Sequence, residues 1–301
     1  MPFKRRSFEG DQRRCCCKMF DKPPDFFIAF KDTMSKARSS RQSNKTVHSQ
    51  KRPRGELLYG RNAVRESLRA KRRKFYALYL AQGVKESPVI REIRLLAREH
   101  QLPPQYVERR TLDMWLEGAN HQGVVLRAGG YPYIDSDAML GYARELNQLP
   151  FLLILDRLQD PQNLGSLFRS AEAFGVHGII LPKHRAAHIT PAVVNASAGA
   201  VEHLRIGLVT NLVREMKALK DAGLWIAGLE AREDALNVDE VDLNGPLAVV
   251  VGSEGFGLSR LVAETCDWLV KLPMRGRINS LNAAVAGSIF LFWAMQARMN
   301  Q

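Results

Sequence analysis

Beyond residue 55, short apolar runs alternate with stretches whose apolar residues recur every three or four positions. The runs at 75–80, 151–155, 178–181, 224–229, 247–251 and 269–272 are aliphatic or aromatic and too short for buried helices, so they read as strands. Helical spacing marks 62–69, 89–100, 163–174 and 212–222; in the last, Leu212, Met216 and Leu219 share one face. Residues 191–198 and 281–299 complete the helical set, and Gly175 sits where a helix-ending C′ glycine belongs. Strand and helix alternating in this way predict an α/β fold with a mainly parallel sheet covered on both faces.

The pattern divides the chain. Residues 55–128 read as a small α/β unit, with further short strands at 106–107 and 123–126 and a helix at 111–117 for which Thr111 is the expected N-cap. Ala128-Gly129-Gly130-Tyr131-Pro132 interrupts regular structure, so 129–147 is expected to be a linker carrying one amphipathic helix, 136–147. The larger domain then spans 148–301. Residues 1–54 lack a sustained apolar period and are expected to form a disordered arm, with Phe26-Phe27-Ile28-Ala29-Phe30 as a short anchored piece.

Charge sharpens this division. The chain carries a net +13, and residues 1–55 hold 15 Lys and Arg against 5 Asp and Glu, so most of the surplus lies in the arm. A basic arm suits either nucleic acid, through phosphate neutralisation, or a solvated tail. Cys15, Cys16 and Cys17 are consecutive and Cys266 stands alone, which is neither a disulfide framework nor a zinc spacing; a reducing, cytoplasmic setting fits. The early region has no apolar core of a secretory signal, and the run 283–295 is too short for a membrane span. No histidine pair has metal-ligand spacing with a supporting carboxylate, so no metal is expected.

The chemistry-bearing segments follow strand ends, where α/β sheets take ligands. Asp160-Pro-Gln-Asn163-Leu-Gly165 follows the strand at 151–155 and runs on to Arg169; Asp160 or Asn163 can cap that helix, and Gly165 admits a close approach of ligand or backbone. Gly252-Ser-Glu254-Gly255-Phe-Gly257 follows 247–251 and lets backbone groups face a ligand. It is not G-x-G-x-x-G and comes late, and no P-loop motif occurs, which disfavours a dinucleotide-binding fold and a P-loop nucleoside triphosphatase. Leu272-Pro273-Met274 leads through Arg275 and Arg277, both suited to phosphate, into Ile278-Asn279-Ser280-Leu281-Asn282, where Ser280 or Asn279 is the expected cap of the last helix.

Taken together and in order, Asn163-x-Gly165-x-x-x-Arg169, Gly252-Ser-Glu254-Gly-Phe-Gly257-Leu258 and Leu272-Pro273-Met274 with Ser280-Leu281-Asn282 resemble the SpoU/TrmH group of the SPOUT superfamily. These are S-adenosylmethionine-dependent RNA ribose 2′-O-methyltransferases. The stretch from Leu58-Tyr59-Gly60 to His121-Gln122-Gly123-Val124 resembles the family's ribosomal-protein-like substrate-binding domain. The resemblance implies a C-terminal trefoil knot, a homodimer whose subunits share each active site, and RNA as partner. The nearest likeness is to the subgroup modifying a guanosine of large-subunit ribosomal RNA, with transfer RNA as the alternative substrate. Carried over by position, it implies cofactor contacts at Gly252, Leu272, Leu281, Gly228 and Met274. It implies catalytic roles for Asn163, Arg169, Glu254, Ser280 and Asn282, with Glu254 holding Arg169 or a loop amide, and RNA contacts at Arg61, Arg275 and Arg277. A guanidinium keeps its proton, so Arg169 is expected to steady a developing alkoxide or an adjacent phosphate. Ala284 departs from the serine common after Ser-Leu-Asn. A non-catalytic RNA-binding or ribosome-assembly factor on the same fold is the competing reading; the intact polar set favours the enzyme.

Overall fold

The computed structural model describes residues 51–184, 188–278 and 280–299. The expected arm at 1–54, its Phe26–Phe30 piece and the triple cysteine therefore lie outside the described residues, apart from 51–54.

The first sheet comes from β1 (Glu56–Tyr59), β2 (Phe75–Ala81), β3 (Pro104–Val107) and β4 (Val124–Ala128), in the order β1-β4-β2-β3. β4 runs antiparallel to both its neighbours, and β2 and β3 are parallel. Helices α1 (Arg61–Ala70) and α2 (Pro88–Glu99) cover one face and α3 (Arg109–Trp115) the other. Ser87 caps α2 by accepting from Ile90 N at 3.3 Å, with Pro88 in the first turn, where its missing N–H costs nothing. Thr111 is not a cap: α3 begins two residues earlier behind Glu108, and Thr111 is buried inside it.

The stretch expected as a linker carries α4 (Ser136–Glu145), which is part of the larger layer. Asp135 caps it by accepting from Ala138 N at 2.9 Å, and Met139 is fully buried among Leu152, Ile154 and Ile180. Small Gly178 and Gly207 leave the room that its thioether fills.

Seven strands follow among the described residues: β5 (Phe151–Leu155), β6 (Gly178–Pro182), β7 (Ile206–Val209), β8 (Trp225–Leu229), β9 (Leu236–Asn237), β10 (Leu247–Val251) and β11 (Trp268–Lys271). They lie in the order β7-β6-β5-β10-β8-β11-β9, every pair parallel. The chain first builds outward from β5 to β7, then returns to build the other half; β10 enters between β5 and β8, and β11 enters last between β8 and β9. Helices α5 (Pro161–Ala173), α6 (Pro191–Ala196) and α9 (Ala283–Met299) lie on one face; α4, α7 (Leu212–Asp221) and α8 (Arg260–Thr265) lie on the other. The strands are apolar along their whole length because both faces are covered: β5 and β10 are buried at every residue. β7, β9 and α8 are short and escaped the periodicity reading.

The two sheets share one continuous apolar core through α1, α6 and the turn at Ala200–Glu202. At that seam the guanidinium of Arg73 is wholly buried, meets Glu202 at 2.8 Å and Glu56 at 2.6 Å, and donates to Gly129 O at 3.1 Å. Asn195 of α6 donates to Tyr59 O at 3.0 Å. The small sheet is thereby fastened to the large one.

Candidate active site

The carboxyl ends of β5, β10, β8 and β11 open on one edge of the large sheet, and the motif loops leave from there. A cavity of about 590 Å³ lies between the ends of β8, β10 and β11 and the start of α9. That is within the size range of small-molecule sites, about 300–1,000 Å³. Leu229, Val251, Leu272, Leu281, Ala283 and Ala286 give it apolar walls; Glu230, Ser253, Glu254, Ser280 and Asn282 supply polar groups.

The glycine loop is a tight turn that closes on itself. Ser253 N donates to Gly257 O at 3.1 Å and Gly257 N to Ser253 O at 3.0 Å. Gly255 and Gly257 take positive φ, 77° and 62°. A side chain at Gly252 would run into the backbone of Gly257 and Leu258, so the turn can fold back only over a glycine. Glu230 anchors its far end, accepting from Leu258 N at 2.8 Å. Asp156, buried after β5, accepts from Ser259 N at 2.6 Å and fixes the start of α8.

A second cavity, of about 420 Å³, adjoins the first. It is lined by Arg157, Leu158, Gln159, Asp160 and Asn163, and it shares Ser253, Glu254 and Phe256 with the first. Asn282 stands where they meet. Its Nδ2 donates to Asn163 Oδ1 at 2.9 Å and to Glu254 Oε1, while its Oδ1 accepts from Ala284 N at 3.0 Å and Val285 N at 3.1 Å. Asn282, not Ser280, therefore caps α9, which starts at Ala283; Asn279 lies outside the described residues. The amide thus joins three motifs at once. Asp160, rather than Asn163, caps α5, accepting from Asn163 N at 3.0 Å, and this leaves the Asn163 side chain to the cavity. The close approach at Gly165 is to backbone: a Cβ there would meet Ala196 and Ser197 of α6.

Other expected residues fall differently. Gly252, Leu272, Met274, Leu281 and Ser280 line the first cavity. Gly228 does not; a Cβ at its position would lie 2.7 Å from both Cys266 Sγ and Leu258 Cδ1, so that side faces the core, and β8 reaches the cavity only from Leu229. Burial pushes the Cys266 thiol up to about 12, so it stays protonated and inert. Arg169 lines neither cavity: it is exposed on α5, and Glu254 pairs with Asn282 instead. The Arg61 guanidinium donates to Gln122 O and Ser87 Oγ, each at 3.3 Å, bracing the turn of the small sheet. Arg275 and Arg277 are exposed and follow Met274, which lines the first cavity. Glu230, Asp156 and Phe256 were missed. Glu230 follows a strand end just as Gly252 does, and that was the available signal.

These features describe an α/β protein with a cavity of small-molecule size at its strand ends and a smaller polar pocket beside it. Comparison with known proteins narrows that class. The SpoU rRNA Methylase family model matches residues 150–292, and the model for RNA 2′-O ribose methyltransferase substrate binding matches 57–134. YacO of Bacillus subtilis, named for the TrmH family of tRNA/rRNA methyltransferases, is 44% identical over 245 residues, covering 81% of this chain and 96% of that protein. A Staphylococcus aureus protein named for the same family is 41% identical over 242 residues, covering 80% and 96%. The SpoU methyltransferase AviRb of Streptomyces viridochromogenes, solved with its cofactor AdoMet, superposes with a TM-score of 0.67 at 26% identity, covering 81% of this chain and 91% of that one. The chain belongs to the SpoU/TrmH family of RNA methyltransferases, and its cofactor is S-adenosylmethionine. The first cavity suits that molecule: apolar walls for an adenine, backbone amides and carbonyls from the glycine turn, and the Glu230 carboxylate near a cationic ligand.

Proposed function

We propose that this protein methylates a ribose 2′-hydroxyl of RNA, with a guanosine of large-subunit ribosomal RNA as its target. The carrying observation is the Asn163–Asn282–Glu254 cluster at the junction of the two cavities. S-adenosylmethionine, when bound, supplies an activated methyl group on a cationic sulfur. The chain's own task is then to hold a weakly acidic hydroxyl in line with it and to ease the loss of its proton. Backbone groups from Gly252 to Gly257, with Leu272, Met274 and Leu281, would hold the cofactor. Asn163, Glu254 and Ser280 would orient the ribose, and Asn282 would lock the loops that carry them. Arg275 and Arg277 would meet phosphates at the mouth, and Arg61 would act from the substrate-binding domain.

Arg169 is assigned to the site of the other subunit in a cytoplasmic homodimer. Two features support this. Arg169 is exposed and stands outside both cavities of its own chain. Beside α5, helix α9 presents Val285, Ile289 and Trp293 to solvent, with Phe292 half-exposed where its ring meets Phe174, an apolar stripe at helical spacing. The C-terminal knot belongs to the same reading. It is supported by β10 entering between β5 and β8, and by the return of the chain after β11 to bring Asn282 against Asn163.

The test is methyl transfer from labelled S-adenosylmethionine to unmodified large-subunit ribosomal RNA and to tRNA transcripts, followed by nucleoside separation. The expected product is 2′-O-methylguanosine from the ribosomal RNA. Label on a base would overturn the ribose assignment, and label only in tRNA would overturn the substrate.

A further inference from the structure

Phe256 is 85% exposed, the highest value for any large apolar side chain among the described residues; Met299 follows at 71%. It is not on a loose loop. It sits at the tip of the turn closed by the Ser253–Gly257 pair, held from below by Glu230 and from the side by Glu254 with Asn282. Both its flanking glycines take left-handed backbone, and the ring is left to solvent. Phe256 also lines both cavities, so its ring stands on the ridge between the cofactor pocket and the polar pocket.

We propose that Phe256 is a stacking platform for an RNA base, the handle by which the acceptor nucleotide is steadied while its ribose enters the second cavity. This rests on the reading of that cavity as the acceptor site. A ribose offers hydroxyls and a phosphate but no flat apolar surface; the base does. Arg157, Gln159, Asp160 and Asn163 present the polar groups of the second cavity, and Phe256 is its exposed aromatic face. A ring there is sequence-tolerant, since every base has a π-face. Phe256 is thus a positioning residue for the acceptor, whereas the backbone of its turn, with Leu272, Met274 and Leu281, would hold the cofactor.

Phe256→Ala, Phe256→Leu and Phe256→Trp test this in the full chain. Alanine should raise KM for the ribosomal RNA transcript about ten- to a hundredfold, the loss expected for one stacked base, with kcat little changed. Tryptophan should restore the wild-type value and leucine should not, because leucine has the apolar volume but no π-face. S-adenosylmethionine should still bind all three by calorimetry, since the backbone of the turn would hold it, and the sedimenting mass should match wild type. Separately, single-stranded RNA oligonucleotides carrying 2-aminopurine should be quenched by the wild-type and tryptophan proteins and not by the alanine protein. Leucine behaving as phenylalanine, unchanged KM in the alanine variant, or loss of cofactor binding or of the dimer would each overturn the proposal. The quenching arm needs no turnover: quenching without methyl transfer would leave the stacking role standing and remove the proposed activity, whereas methyl transfer indifferent to Phe256 would do the reverse.

Discussion

At Gly252 the absence of a side chain decides whether the cofactor loop can form. A methyl group there collides with backbone at Gly257 and Leu258, not with a side chain that can swing away. Gly252→Ala should therefore open the Ser253–Gly257 turn and weaken S-adenosylmethionine binding by on the order of tenfold or more, about 1.4 kcal/mol for each factor of ten. Calorimetry on the folded variant checks it; unchanged affinity would mean that the turn is dispensable. His177 is a second residue whose environment dictates a measurable property. Burial, followed by the nearby Arg298 and Arg205 charges, holds its imidazole below its ordinary value of about 6.5. Its Nδ1 accepts from Phe151 N at 3.0 Å, and Nε2 lies 2.8 Å from Gln148 Oε1, a pattern for the neutral ring. The unfolded chain therefore takes up this proton first on acidification. The stabilisation is complete above about pH 6.5 and is lost as the pH falls through the lower folded value. Melting temperature should drop between pH 7 and 5, and His177→Gln should flatten part of that slope. At this scale the sequence was legible for groups whose role is set by a motif, such as Gly252 and Asn282. It was silent on His177, whose partners come from distant segments.

At the scale of elements, α9 is apolar on both sides. Ala284, Gly287, Phe290, Leu291 and Ala294 are buried against the body, while Val285, Ile289 and Trp293 are exposed and Phe292 is half-exposed beside Phe174. A helix covered on one side only would carry polar residues on the other. Trp293→Glu should place a charge in the proposed dimer seam and shift the protein to monomer by sedimentation, with methyl transfer lost together with the dimer; a dimer retained at micromolar concentration would locate the seam elsewhere. The long strands and helices were readable because their periods are long enough to register. Short elements were read unevenly: β11 and α6 were found, whereas β7, β9 and α8, of four, two and six residues, are fixed by neighbours that only the fold supplies. The start of α9 was misread by two residues because Ser280 and Asn282 are both good caps. The contact with Asn163 and Glu254 decides between them.

On the scale of the whole molecule, the small sheet is joined to the catalytic layer by a buried charge network, not by a flexible tether. Burial pushes the Glu202 carboxyl up, and the Arg73 guanidinium opposes that shift. Removing one partner of such a pair leaves a charge stranded in the seam, which typically costs about 3–5 kcal/mol. Arg73→Met should lower the stability by that order in denaturant titration, and adding Glu202→Gln should recover much of it; a neutral single variant would show that the seam is wetter than its burial implies. The alternation of elements disclosed the parallel sheet. The docking of the two sheets was not legible, since Arg73, Glu56 and Glu202 carry no motif and meet only through tertiary packing.

The central claim is that the junction at Asn282 presents a ribose hydroxyl to the methyl donor. The most direct measurement replaces the mapped acceptor nucleotide in the ribosomal RNA by its 2′-deoxy form and follows methyl transfer at saturating S-adenosylmethionine. The account predicts that transfer vanishes while RNA binding persists; undiminished transfer to the deoxy substrate would contradict it.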